Sequence, residues 1–185
     1  MSRKYKIRDQ EKPYFVTFTV VHWIDVFIRT EYRNTFLESI QYCQENKGLE
    51  VYAWCMMTSH IHMIIGSKGI MPIEGIIRDT KSYISRCVRQ LLEDKKAVGE
   101  SRREWMLKMM IKEGMKNSNN NDFQFWQQHN HPIVLDSNEL IDQKIDYIHN
   151  NPVVAGFVEK PEDWVYSSAS EYMTNRKGKL KLALV

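Results

Sequence analysis

Residues 50–65 read EVYAWCMMTSHIHMII and predict two β-strands joined by a tight turn at Thr58 and Ser59. The second strand begins with His-Ile-His. Because side chains alternate between the two faces of a strand, we expect His60 and His62 on the same side. Two neutral imidazoles placed together suit a divalent metal when a third ligand arrives from elsewhere. A His-x-His pattern also occurs on strands that bind no metal, so a structural or surface role stays open for it.

The composition is typical of one globular domain. The 185 residues are 43% hydrophobic and 26% charged, so we expect a single folding unit over residues 1–185. The net charge of +3 is compatible with a polyanionic partner but does not identify one. Cys43, Cys55 and Cys87 form no CxxC pair, which favours buried thiols in a reducing compartment over disulfides.

No part of the sequence predicts a membrane partner. The N-terminus has no apolar core of the kind that a signal sequence carries. No apolar run approaches the roughly 20 residues that a membrane-spanning helix needs. We therefore expect a cytoplasmic protein.

The periodicity of apolar residues predicts the other main elements. Strands are expected at residues 14–21 and 132–135, and helices at residues 31–46, 73–92 and 137–151. Asp136 followed by Glu139 resembles a capping box for the last helix. The resulting order, β-α-β-β-α-β, is the ferredoxin-like or split βαβ arrangement of the α+β class. It predicts an antiparallel sheet with helices on one face and an extra C-terminal helix.

Two segments fall outside this pattern. Residues 1–12 are rich in Lys and Arg and are expected to form a loose basic arm. Residues 94–122 read as an insertion, with a charged helix at about residues 102–115 and an Asn-rich loop at residues 117–122 that we expect to be mobile.

The helix at residues 73–92 has a basic side. Its exposed positions are expected to be Arg78, Lys81, Arg86 and Arg89, with Tyr83 between them. Such a side can follow the phosphates of a nucleic acid, although most charged helix faces are simply solvated.

The last helix separates its residues by direction. An apolar stripe consists of Ile141, Ile145 and Ile148. Lys144, Tyr147 and Asn151 form an adjoining stripe at helical spacing. Pro152 disfavours helix at the preceding residue, so we expect Asn151 at the end of the helix. By itself a tyrosine at this position is more typical of a residue that packs at the edge of the core.

In combination these motifs resemble the HUH single-tyrosine transposases of the IS200/IS605 type, and most closely their REP-associated branch. The resemblance rests on His-Ile-His followed by YIHNNPVVAGFV at residues 147–158. It extends over residues 14–172 and includes the segments Lys81-Ser82-Tyr83, Phe125-Trp126-Gln127 and Pro161-Glu162-Asp163-Trp164.

The resemblance implies a function. His60, His62 and Asn151 would bind Mg²⁺ or Mn²⁺, and Tyr147 would attack single-stranded or hairpin DNA. The product would be a 5′-phosphotyrosine that can be resealed to another 3′-OH, which makes the protein an endonuclease and strand-transferase in DNA transposition and recombination. Candidate DNA contacts are Arg78, Lys81, Tyr83, Trp126 and Lys144.

Other interpretations stay open at this point. Water could replace Tyr147 as the attacking group, giving a hydrolytic phosphodiesterase, or the chain could be a DNA-binding module without turnover. His129 and His131 form a second His-x-His, but Pro132 interrupts the strand pattern beside them. IS200-type transposases act as dimers with the tyrosine supplied in trans, whereas the REP-associated branch need not, so a homodimer is one expected assembly.

Overall fold

A computed structural model describes residues 7–96, 99–116, 122–128, 132–174 and 176–184 of the chain. The strands are β1 (Tyr14–Thr19), β2 (Leu49–Met56), β3 (His60–Ser67) and β4 (Ile133–Val134). The helices are α1 (Thr30–Asn46), α2 (Ile73–Glu93), α3 (Arg103–Met115), α4 (Asn138–Val154) and α5 (Ala169–Thr174).

The four strands form one antiparallel sheet in the order β2-β3-β1-β4. With α1 between β1 and β2 and α2 between β3 and β4, this is the ferredoxin-like order that the sequence predicts. The predicted α+β class is therefore confirmed.

The two faces of the sheet pack against different helices. Alternate residues of β1, among them Val16 and Phe18, belong to the large core that α1, α2 and α3 share. Phe15 points the other way and packs with Ile141 and Ile148 of α4. Because side chains alternate along a strand, the extra helix α4 covers the face opposite α1 and α2.

The hairpin between β2 and β3 turns at residues 57–59. The Met57 N–H donates to the carbonyl of His60 at 2.8 Å, which closes the turn where the sequence predicts it. The Thr58 hydroxyl donates to a carboxylate oxygen of Asp25 at 2.6 Å and ties the turn to the loop after β1.

Both predicted ends of α4 need correction. The residue that caps its start is Ser137, not Asp136, because the Ser137 hydroxyl accepts from the Leu140 N–H at 3.3 Å. The helix also passes through Pro152, so Asn151 lies inside its last turn. At this end the Ala155 N–H donates to the Asn151 carbonyl and the Phe157 N–H donates to the Pro152 carbonyl. Proline lacks an N–H but keeps its carbonyl, so it can still accept the second of these bonds.

Several sequence-based expectations fall partly or wholly outside the described residues. These are the first six residues of the basic arm, most of the Asn-rich loop, and the second His-x-His at His129 and His131. In the described part of the arm Ile7 is buried, and the Gln10 side chain accepts from the Ile73 N–H at the start of α2. In the insertion, α3 contributes the buried Met106 and Met110 to the main core.

The three cysteines are free, with Cys43 and Cys55 buried and Cys87 half-buried. Among the described residues, no helix combines the length and the apolar character needed to cross a membrane.

Candidate active site

His60 and His62 lie side by side on the face of the sheet that α4 covers. In the pairing of β1 with β3, Thr19 is opposite His60 and Thr17 is opposite His62. The two imidazole ring centroids are 4.8 Å apart. The strand period of two therefore places both rings at one spot, as the sequence predicts.

His62 is almost fully buried and contacts two residues of β1. Its Nδ1 is hydrogen-bonded to the Thr17 hydroxyl at 2.9 Å, and its ring stacks on Phe15 at a centroid distance of 5.5 Å. Burial lowers the pKa of His62 to about 3, helped by the nearby His60 and Lys144. The ring is thus neutral at physiological pH, and the bond at Nδ1 makes Nε2 the nitrogen suited to coordinate a cation.

His60 is half-buried and connects β3 to α4. Its Nδ1 is hydrogen-bonded to the Ser59 hydroxyl at 3.3 Å. Burial lowers the pKa of His60, while a hydrogen bond with the Asn151 side chain and the charge of Asp25 oppose that shift. The amide of Asn151 therefore reaches the histidine pair from the last turn of α4.

Tyr147 stands one turn before Asn151 and is 48% exposed. Its ring centroid is 5.2 Å from that of His62 and 5.9 Å from that of Phe15, in edge-on contacts. The Lys144 ammonium lies 5.5 Å from the centre of the Tyr147 ring and 5.0 Å from that of Phe15. The phenol is therefore accessible at the rim of the histidine pair, with a positive charge beside it.

The donor set fits a divalent cation. In the part of the chain that the structure describes, no group of three His, Cys, Asp or Glu side chains could hold a metal. The candidate ligands are instead two neutral imidazoles and one amide, His60, His62 and Asn151. Such a set can bind a divalent cation through two nitrogens and an oxygen and leave positions for phosphate oxygens.

Three of the other predicted DNA contacts lie on α2, which packs on the opposite face of the sheet. The Arg78 guanidinium pairs with Asp79 at 3.2 Å. The prediction that Lys81 is exposed is wrong, because its side chain is half-buried and its ammonium donates to the Gln127 carbonyl at 2.9 Å. Burial lowers the pKa of Lys81 to about 8. Tyr83 is 42% exposed.

Trp126 is only 5% exposed. Its indole N–H donates to the Lys81 carbonyl at 3.1 Å, and its ring packs on Phe27 and Phe18. The structure therefore brings together Tyr147, His60, His62 and Asn151, with Lys144 beside them. It does not bring Arg78, Lys81, Tyr83 or Trp126 to the same place.

The site contains residues that sequence reasoning missed. Thr17 and Phe15 flank His62, and they could be found only from the register of β1 against β3. The Trp23 ring lies 5.1 Å from that of His60. Trp23 follows a strand in a short loop, and nothing in the local sequence pattern signals its position.

Comparisons with known proteins bear on the family and the fold of the chain. The sequence model of the family described as "Transposase IS200 like" matches residues 16–112, which is more than half of the chain. A protein of Haemophilus influenzae described as a REP-associated tyrosine transposase is 25% identical in an alignment of 146 residues, and the match covers 75% of this chain and 69% of that protein. A solved REP-associated tyrosine transposase bound to a REP hairpin superposes with a TM-score of 0.64 at 16% identity, covering 100% of this chain and 93% of that one.

Proposed function

Because the chain belongs to the IS200-like transposase family, we propose that it cuts and rejoins single-stranded or hairpin DNA through a 5′-phosphotyrosine on Tyr147. The observation that carries this proposal is the meeting of Tyr147 with His62, His60 and Asn151 on one face of the sheet. A nucleophile, a cation-binding donor set and a basic side chain are the parts that phosphoryl transfer to a protein side chain requires.

In the proposed reaction the Tyr147 oxygen attacks the scissile phosphorus. The phenol loses its proton, a bond forms between the phenolic oxygen and phosphorus, and the bond from phosphorus to the 3′ oxygen breaks to release a 3′-OH. Because the phosphotyrosine keeps a phosphodiester, a second 3′-OH can attack it and restore the DNA strand with free Tyr147. Strand transfer therefore needs no nucleoside triphosphate.

The residues around Tyr147 have distinct roles in this proposal. A Mg²⁺ or Mn²⁺ ion held by His60, His62 and Asn151 would neutralise charge on the phosphate and orient it. Burial keeps both imidazoles neutral, so their lone pairs are available as ligands. Thr17 fixes the orientation of His62. The Lys144 ammonium lies 5.5 Å from the centre of the Tyr147 ring and would contact a phosphate bound there.

Hairpin DNA is the first substrate to test. The solved transposase that superposes on the whole of this chain is bound to a REP hairpin. That likeness, at 16% identity, concerns the fold alone, and it supports hairpin DNA only as the first substrate to be tried.

The test is a denaturing gel after incubation of the protein with 3′-labelled hairpin DNA and Mn²⁺, because the attack leaves the phosphate and the DNA 3′ to the cut on the tyrosine. Wild-type protein should give a covalent protein–DNA band, and Tyr147→Phe should give none. Tyr172→Phe is a matched control, because Tyr172 is similarly exposed but its hydroxyl donates to the Tyr52 carbonyl. Free cleaved DNA without an adduct would instead indicate attack by water, and binding without cleavage would indicate a silent DNA-binding module.

A further inference from the structure

The loop after β1 has an unusual backbone. His22 and Trp23 have φ angles of 56° and 55°, and they are the non-glycine residues with positive φ in the described part of the chain. A bulky side chain seldom adopts this left-handed conformation, and two in succession are rarer still. Such conformations persist where the surrounding structure imposes them, and they concentrate at functional sites.

Contacts on both sides hold this loop in place. The N–H groups of Val20 and Val21 donate to the carbonyls of Ser59 and Phe125 at 3.0 and 2.9 Å. The Trp23 N–H donates to the Val20 carbonyl at 3.1 Å, and the His22 ring meets a carboxylate oxygen of Glu113 on α3 at 3.2 Å. The left-handed turn is thus fixed by the β2–β3 turn, by α3 and by the segment before β4.

The consequence of this turn is the position of the Trp23 ring. It packs edge-on against His60 at a centroid distance of 5.1 Å and an interplanar angle of 72°. Although it makes this contact, Trp23 is 57% exposed. Trp23 therefore offers exposed aromatic surface directly beside a candidate metal ligand.

Burial does not explain why the chain adopts a strained turn to leave a tryptophan in solvent. Binding of an unpaired nucleobase would explain it, because bases of any identity stack on exposed aromatic rings. We propose that Trp23 stacks on an unpaired nucleobase next to the scissile phosphate and thereby positions that phosphate over His60 and His62. This inference rests on the proposed function, since it takes single-stranded DNA as the ligand of the same site.

The first test measures binding in a Tyr147→Phe background, so that no cleavage disturbs the equilibrium. The probe is a fluorescent hairpin with a single-stranded extension that spans the cleavage position mapped with wild-type protein. Trp23→Ala should weaken binding about tenfold, and Trp23→Phe should recover most of that affinity because it keeps an aromatic ring. Trp105→Ala is the matched control, since Trp105 is 47% exposed on α3, and it should bind like the parent.

The second test locates the stacked base. Each nucleotide beside the cleavage position is replaced in turn by an abasic one, and affinity is measured for the parent and for Trp23→Ala. The parent should lose about tenfold in affinity at one position, and Trp23→Ala should lose nothing further there, because the two changes remove the same interaction.

The outcomes separate the two proposals. Equal losses in the parent and in Trp23→Ala at every abasic position overturn the stacking role, even when wild-type protein forms its Tyr147 adduct. A Trp23→Phe variant as weak as Trp23→Ala also overturns it, because stacking needs only an aromatic ring at this position. Wild-type protein that forms no adduct on any DNA overturns the proposed function, and the Trp23 role with it.

Discussion

At the scale of single residues, the environment of His62 decides what the site can bind. The imidazole is enclosed by Phe15, Thr17 and Tyr147, so protonation would place a charge among poorly solvated groups next to His60 and Lys144. Burial therefore raises the free energy of the protonated ring. As a result His62 remains a neutral ligand at pH values well below those at which a free histidine takes up a proton.

The burial of His62 should make the stability of the protein depend on pH. The unfolded chain takes up a proton at His62 near pH 6.5, whereas the folded chain does so near 3 because burial lowers the pKa of the imidazole. Stability is therefore fully present above pH 6.5 and declines as pH falls towards 3, at about 1.4 kcal/mol per pH unit. Between pH 7 and pH 5 we expect His62 to account for a decrease of about 2 kcal/mol in the free energy of unfolding. Urea denaturation of metal-free protein at both pH values measures it.

The matched variant is His62→Gln, which keeps a polar side chain but does not titrate. Its free energy of unfolding should fall by about 2 kcal/mol less than that of wild-type protein over the same pH interval. An identical pH dependence in the two proteins would show that His62 is not a buried neutral imidazole.

Metal ligands and the nucleophile should fail in different ways. Asn151→Ala should weaken adduct formation at low Mn²⁺ and recover in part as Mn²⁺ is raised, because mass action offsets a lower affinity for the ion. Tyr147→Phe should stay inactive at every Mn²⁺ concentration. The readout is adduct yield across a metal titration.

Asn150→Ala is the control, since that neighbouring side chain donates to the Asp146 carbonyl. Its titration should match wild-type protein, and an Asn151→Ala titration that does so too would remove Asn151 from the ligand set.

At the scale of elements, period and register differ in how much the sequence reveals. The strand period places His60 with His62, and the helix period places Tyr147 with Asn151, so both pairs could be predicted. The Thr17 contact could not be, because it depends on the register of β1 against β3, which is set by distant residues. The start of α4 could not be predicted to the residue, because Asp136 and Ser137 are adjacent good caps and only the backbone decides between them.

The basic side chains of α4 and α2 lead to a prediction at this scale. Lys144 of α4 lies at the candidate site, whereas Arg78 of α2 lies on the opposite side of the sheet and pairs with Asp79. Removing one side chain that binds a phosphate flattens the log–log dependence of affinity on salt by about one unit. In a Tyr147→Phe background, Lys144→Ala should therefore flatten that slope by about one, and Arg78→Ala should leave it nearly unchanged. Fluorescence anisotropy over a salt series measures both slopes. A flattened slope in Arg78→Ala would show that DNA also runs along α2.

At the scale of the whole molecule, one chain carries every part of the candidate site. The α+β order was predictable because each element has its own period and the ferredoxin-like order is compact. The Trp23 loop was not, since its left-handed turn is imposed by contacts with the β2–β3 turn, α3 and residue 125. The Tyr147 ring contacts His62 of its own chain, and we propose on this basis that each protomer uses its own tyrosine.

This proposal predicts how two inactive variants behave together. His60→Ala lacks a metal ligand and Tyr147→Phe lacks the nucleophile. If each protomer uses its own tyrosine, a mixture of the two proteins should form no adduct on hairpin DNA with Mn²⁺. Adduct in the mixture would mean that a homodimer supplies Tyr147 in trans, as in IS200-type transposases.

The central claim is that Tyr147 itself becomes joined to DNA, and peptide mapping of the adduct tests it most directly. Wild-type protein is trapped on hairpin DNA with Mn²⁺, digested with nuclease and trypsin, and analysed by tandem mass spectrometry. The tryptic peptide that begins at Ile145 also contains Tyr166 and Tyr172, so fragmentation must locate the modified residue. We predict a nucleotide on Tyr147 alone. A nucleotide on Tyr172, or on Tyr83 in a separate peptide, would contradict the assignment of the nucleophile.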